Sequence, residues 1–146
     1  MARAPVNGIE IEYETFGDRG ARPLLLIMGL GAQLVLWEEE FCTELAERGH
    51  YVIRYDNRDV GLSTKFDQAG APSFLEAMQA AATGRKAEVA YTLDEMADDA
   101  AGLLDALELE SAHVAGASMG GMIGQTLVLR HAERVRSLTS IMSTTG

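Results

Sequence analysis

The chain has a single cysteine, Cys42, which excludes an internal disulfide and any metal site built from several cysteines. It is also short of positive charge. Twelve Lys and Arg stand against 22 Asp and Glu, a net charge of −10. A basic surface for nucleic acid or for an anionic membrane is therefore not its main function. Long apolar runs are missing too. The longest, Leu24 to Trp37, is interrupted by Gln33 and two glycines and is too short to span a membrane. The first residues, Met-Ala-Arg-Ala-Pro-Val-Asn-Gly, lack the apolar stretch of a signal peptide. There is no internal repeat and no low-complexity tract. What is present is an ordinary globular mix: 146 residues, 47% hydrophobic and 23% charged, enough for one domain with a real core. The expectation is a cytoplasmic protein with no nucleic-acid or membrane partner.

The hydrophobic pattern predicts an α/β fold. Residues 3–17 read as a hairpin, with Asn7-Gly8 as the tight turn and Ile9 to Glu14 alternating with period two. Leu24-Leu25-Leu26-Ile27-Met28 is a continuous apolar run, as in a strand buried on both faces. Trp37, Phe41, Cys42, Leu45 and Ala46 recur at helical spacing, and Gly49 stops that helix. Cys42 falls on its apolar face, so a core thiol is expected rather than a reactive one. Tyr51 to Tyr55 is the next strand, and residues 57–72 read as a long loop. Ser73 and Glu76 form a capping box before a short helix over 74–82. Thr92 and Glu95 repeat it before a longer helix with Leu93, Met96, Ala97, Ala100, Leu103, Leu104 and Leu107 on one face. Asp94, Glu95, Asp98, Asp99 and Asp105 form its other face, read as solvated. Ala112 to Ala115 is a strand, Met119 to His131 a helix and Leu138 to Met142 a last strand. Alternating strand and helix from residue 24 onward means a mainly parallel sheet with flanking helices.

Gly116-Ala117-Ser118-Met119-Gly120-Gly121 lies between a strand and a helix, which is the context that G-x-S-x-G requires of a nucleophile elbow. A serine nucleophile must stand clear of the sheet on a sharp turn, and side chains two residues before and after it would collide. Glycine removes the clash. The same turn sets Ser118 at a helix start, where the Met119 N–H faces a developing oxyanion. The plainer alternative is a serine N-cap with glycines for close packing. A second motif, Met28-Gly29-Leu30-Gly31, follows the first buried strand, and Leu30 is the best candidate for the second oxyanion donor. The third, Asp56-Asn57-Arg58-Asp59-Val60-Gly61-Leu62-Ser63, reads as loop scaffolding. Trp37, Met78, Met119 and Met122 are candidates to line an acyl pocket, with core packing the simpler role for all but Met119.

On these motifs residues 3–144 resemble the N-terminal half of an α/β-hydrolase-fold protein. The D-x-R-x-x-G-x-S loop and the G-x-S-M-G-G elbow are similar to those of cofactor-free esterases and perhydrolases, polyketide methylesterases among them. The resemblance implies the first six strands of the fold in sheet order 1-2-4-3-5-6, with the cap and the last two strands outside residues 1–146. It implies Ser118 as nucleophile, the N–H groups of Met119 and Leu30 as oxyanion donors, and no cofactor or metal. Met28 departs from the pattern, since many members have a histidine there that acts as a structural loop residue.

The rest of a Ser–acid–His triad is missing. After Ser118 the only acid is Glu133 and the only histidine His131, in the wrong order. His131 lies at the far end of the helix that Ser118 starts, about 20 Å away at 1.5 Å per residue. His113 opens the strand that ends at Ser118, about 16 Å below it. His50 precedes its strand, at the sheet edge opposite the one where such folds keep their sites. The leading expectation is a serine hydrolase for carboxylic esters whose base and acid come from a complementary half. A second copy could instead pair through the edge strand 138–142. A perhydrolase or acyltransferase would use the same parts, and a non-catalytic module for a small molecule or a partner is a second class. A dinucleotide site is the weakest alternative. Gly29-Leu30-Gly31 and Asp56 resemble its glycines and acid, but Leu34 stands where the third glycine should.

Overall fold

The structure, a computed structural model, describes residues 1–66, 82–84 and 91–145. The capping box Ser73/Glu76, residues 74–81 of the expected 74–82 helix, Met78 among them, and residues 67–72 of the expected 57–72 loop lie outside those residues. The elements are β1 (Ala2–Val6), β2 (Ile9–Phe16), β3 (Arg22–Ile27), a 3-10 turn (Leu34–Leu36) and α1 (Glu39–Glu47). They continue with β4 (His50–Tyr55), α2 (Leu93–Ala106), β5 (Ala112–Ala117), α3 (Met119–Arg130), a second 3-10 turn (Ala132–Arg134) and β6 (Val135–Ile141).

The six strands form one sheet in the order β1-β2-β4-β3-β5-β6. β1, β2 and β4 pair antiparallel, and β4, β3, β5 and β6 pair parallel. This is the mainly parallel sheet, opened by a hairpin, that the pattern implied. Asn7 and Gly8 take φ of 50° and 79°, as a tight hairpin turn demands.

The apolar run in β3 is buried on both faces because two helical layers need it. Leu25 and Ile27 join Ile11, Ile53, Tyr55 and Val114 against α2 and α3. Leu24 and Leu26 point the other way, with Val52, onto Trp37, Cys42, Leu45 and Ala46. Cys42 is fully buried, as expected, and burial pushes its thiol pKa up. Trp37 corrects the helix reading. It closes the 3-10 turn and lies ahead of α1, so its burial comes from the turn and not from helical periodicity. α2 starts where the capping box placed it, with Thr92 N–H donating to Glu95 Oε2 at 2.6 Å.

Its acidic face is not uniformly solvated. Asp99 is only 2% exposed and pairs with Arg58 at 2.6 Å and 2.8 Å. The physical reason is position: Asp99 sits three residues after Met96 and four before Leu103, both in the core. The last strand is also longer at its start than 138–142. Val135 already pairs with Ala112, so Arg136 adds a charge near the beginning of this edge.

Candidate active site

The strand-to-helix turn at Ser118 is tight because two glycines let backbones touch. A Cβ on Gly116 would lie 2.2 Å from the Gly120 carbonyl oxygen. A Cβ on Gly120 would lie 2.1 Å from the Ile27 carbonyl oxygen. Any side chain at either position would drive α3 off the ends of β3 and β5. Ser118 itself takes φ 54° and ψ −121°, a conformation that costs a non-glycine residue about 1–3 kcal/mol. It is held there from both sides. Its N–H donates to the Ile141 carbonyl at 2.8 Å, and its carbonyl accepts from Gly121 N–H at 3.0 Å. The side chain is left exposed at the C-terminal edge of the sheet.

The glycine loop after β3 runs beside the serine. A Cβ on Gly29 would be 3.2 Å from Ser118 Cβ and 3.6 Å from Met119 N. Met119 is the first residue of α3, so its N–H has no carbonyl four residues back within the helix. Leu30, one residue beyond Gly29, is 41% exposed. Gly29 thus lies against Ser118 and Met119, and Leu30 is the next residue of that loop.

The loop after β4 supports that place. Asp56, 3% exposed, accepts from Leu34 N–H at 2.7 Å and from Leu62 N–H at 2.9 Å. Asn57 Nδ2 donates to the Met28 carbonyl at 2.9 Å. Ser63 Oγ donates to the Asp56 carbonyl and accepts from Glu12 N–H. Tyr91 donates its hydroxyl to Asp59 at 3.0 Å, and burial first, then that bond, pushes its pKa up to about 12. The scaffolding role read for this loop holds. What the sequence reading missed is that Asp56 and Asn57 grip the glycine loop itself. Their place directly after a strand that neighbours β3 was the available signal.

The histidines lie elsewhere. His113 Nδ1 meets Ser137 Oγ at 2.7 Å near the start of β5, and its ring is 6.5 Å from that of His50. His131 follows α3 and meets Asp98 Oδ1 at 2.8 Å. Asp98 also accepts from Arg130, and that bond above all holds its carboxyl below the usual range. Among the described residues no group of His, Cys, Asp and Glu could hold a metal ion, and no helix is long and apolar enough to cross a membrane.

This geometry has counterparts in known proteins. The family model of the α/β hydrolase fold matches residues 22–145. Rhodomycin D methylesterase of Streptomyces sp. (strain C5) is 40% identical over 129 residues, which are 88% of this chain and 37% of that protein. 2-Hydroxymuconate semialdehyde hydrolase of Pseudomonas sp. (strain CF600) is 47% identical over 154 aligned positions, with 98% of this chain and 47% of that protein covered. The crystal structure of the enol-lactonase from Burkholderia xenovorans LB400 superposes with a TM-score of 0.73 at 30% identity, over 94% of this chain and 45% of that one. The chain spans less than half the length of each of these relatives.

Proposed function

The chain belongs to the α/β-hydrolase fold family, and on that premise we propose that it carries the nucleophile and oxyanion hole of a serine hydrolase for carboxylic esters. The observation that carries the reading is the backbone of Ser118. A serine at φ 54° and ψ −121°, exposed on a glycine-flanked turn, keeps strain that packing alone does not need. Ser118 Oγ attacks the ester carbonyl, and Met119 N–H and Leu30 N–H take the negative charge that forms on its oxygen. The proton that Ser118 Oγ loses passes to the triad base and on to the departing alcohol, and water then releases the acid from the acyl-serine and returns a proton to Oγ. A perhydrolase or acyltransferase differs only in the acceptor.

The base and acid of the triad come from outside these residues. All three histidines make their hydrogen bonds or ring-edge contacts away from Ser118, and Glu133 precedes no later histidine. Residues 1–146 are then the N-terminal part of a hydrolase core domain, with cap and last two strands beyond them. The relatives, of which this chain covers 37% and 47%, support that division.

A fluorophosphonate probe tests the nucleophile. Slow, stoichiometric labelling of Ser118, absent in Ser118→Ala, is the expected result; a binding module stays unlabelled. Hydrolysis of p-nitrophenyl acetate by this chain should be weak, at the ~10³–10⁴-fold over water that a site without its triad partners retains. Rapid turnover that vanishes in Ser118→Ala would instead mean that a second copy delivers a base.

The partner is proposed to add to β6. Among the described residues this strand is paired on one side only, by β5, and Ile141 and Met142 are 37% and 82% exposed. Unpaired N–H and C=O groups on such an edge invite another strand. The purified chain should scatter light as a dimer or larger species at micromolar concentration, or bind the complementary half. A lasting 15.7 kDa monomer that ignores that half would refute this.

A further inference from the structure

Resting on the reading of Leu30 N–H as an oxyanion donor, we propose that Asn57 is its positioning residue. The Met28 carbonyl accepts from Asn57 Nδ2 at 2.9 Å. A peptide unit is planar and trans, so fixing that carbonyl also fixes the Gly29 N–H, which faces the opposite way. One unit further on, the Gly29 carbonyl accepts from Ala32 N–H at 3.3 Å, and the Leu30 N–H is turned away from that bond. The far end of the segment is tied by Asp56, through Leu34 N–H. Residues 28–34 are therefore gripped at both ends by two consecutive residues of the β4 loop.

Asn57 is the grip nearer the reacting centre. It is 2% exposed, so its bond is sheltered from competing water. Met28 has only a thioether, so its own side chain cannot donate a hydrogen bond in place of the carboxamide. The Met28 peptide is also crowded from the elbow, since a Cβ on Gly120 would meet the Ile27 and Met28 carbonyl oxygens at 2.1 Å and 2.9 Å. The angle of this one peptide thus couples the elbow to the donor loop. Rotating it when the carboxamide is lost would swing Leu30 N–H off the position of the oxyanion while leaving Ser118 in place.

The test is fluorophosphonate labelling of the whole chain, with the maximal rate separated from the half-saturating probe concentration. With no base nearby, the residual rate reports the oxyanion hole directly. Asn57→Asp should lower the maximal rate by about 100-fold, in the range for losing one oxyanion donor, with half-saturation almost unchanged. An ionised carboxylate cannot donate to the Met28 carbonyl, but a protonated one can. Burial and the neighbouring Asp56 carboxylate both disfavour a charged group at position 57, so the rate relative to the parent should recover as the pH falls, starting above the ordinary carboxylate range. Asn57→Ala, neutral and without a donor, should show the loss and no recovery, and it carries the test if Asn57→Asp does not fold. Equal rates in parent and variants would overturn this inference and leave Ser118 as the nucleophile. A folded Asn57→Asp that is slow at every pH would overturn it too. A parent chain left unlabelled, like Ser118→Ala, would overturn the serine reading and this inference together.

Discussion

Gly120→Val is expected to cost the fold about 4 kcal/mol or more, among the largest effects any single change here can have. The first atom a Cβ would meet is the Ile27 carbonyl oxygen at 2.1 Å, and the next is its carbon at 2.7 Å. Both belong to the backbone of β3, a central strand, so neither can swing aside as a flexible side chain would. Relief requires α3 to move away from the sheet. That would strip Ile123 and Leu127, both fully buried, from the core. Valine adds a branched side chain to a helix start already crowded by Gly116. For a chain of this size the melting temperature should fall by roughly 10 °C or more. Gly20→Ala is the control: its nearest neighbour is the Asp18 carboxylate at 3.2 Å, and its effect should stay within about 0.5 kcal/mol. Thermal melts of the three proteins decide it, and a Gly120→Val protein that melts with the parent would contradict a tight elbow at Ser118.

That elbow was legible in the sequence because its cause is local. Two glycines around a serine, after an apolar run and before a helical one, force the same turn whatever the rest of the chain does. The hairpin at Asn7-Gly8, the two-faced burial of β3 and the capping box at Thr92 were readable for the same reason. Asp99 and Trp37 were not. Asp99 reads with the other acids because nothing in its own neighbourhood shows that Arg58 waits opposite it. Trp37 shares helical spacing with Phe41, yet Phe41 is 43% exposed while Trp37 is buried by a turn that the periodicity cannot see. The grip of Asn57 on Met28 is of the same kind, a contact between two loops that only the parallel pairing of β3 and β4 brings together.

The Arg58–Asp99 pair gives the second large effect, and it bears on the site as well as on stability. Arg58 is 6% exposed and Asp99 2%, with two hydrogen bonds between them. Asn7 Nδ2 donates to the same carboxylate at 3.0 Å, so the hairpin tip, the β4 loop and α2 meet at one charge. The guanidinium also lies over the rings of Phe66 and Tyr91, at 5.1 Å and 5.3 Å. The bond to Asp99, more than any other influence, pushes the Arg58 pKa up, so the guanidinium stays charged. Arg58→Met leaves a buried carboxylate without its partner, and such losses cost about 3–5 kcal/mol. Asp99→Leu leaves the cation stranded and should also destabilise strongly. The double variant should be much more stable than the sum of the two changes implies, because an apolar pair carries no desolvated charge. Urea unfolding of the four proteins measures that coupling, and simple additivity would sink the argument. Folded Arg58→Met protein should also label more slowly at Ser118. Arg58 follows Asn57 directly, and releasing it loosens the loop that holds the Met28 carbonyl. A destabilised Arg58→Met protein that labels at the parent's rate would confine the pair to stability alone.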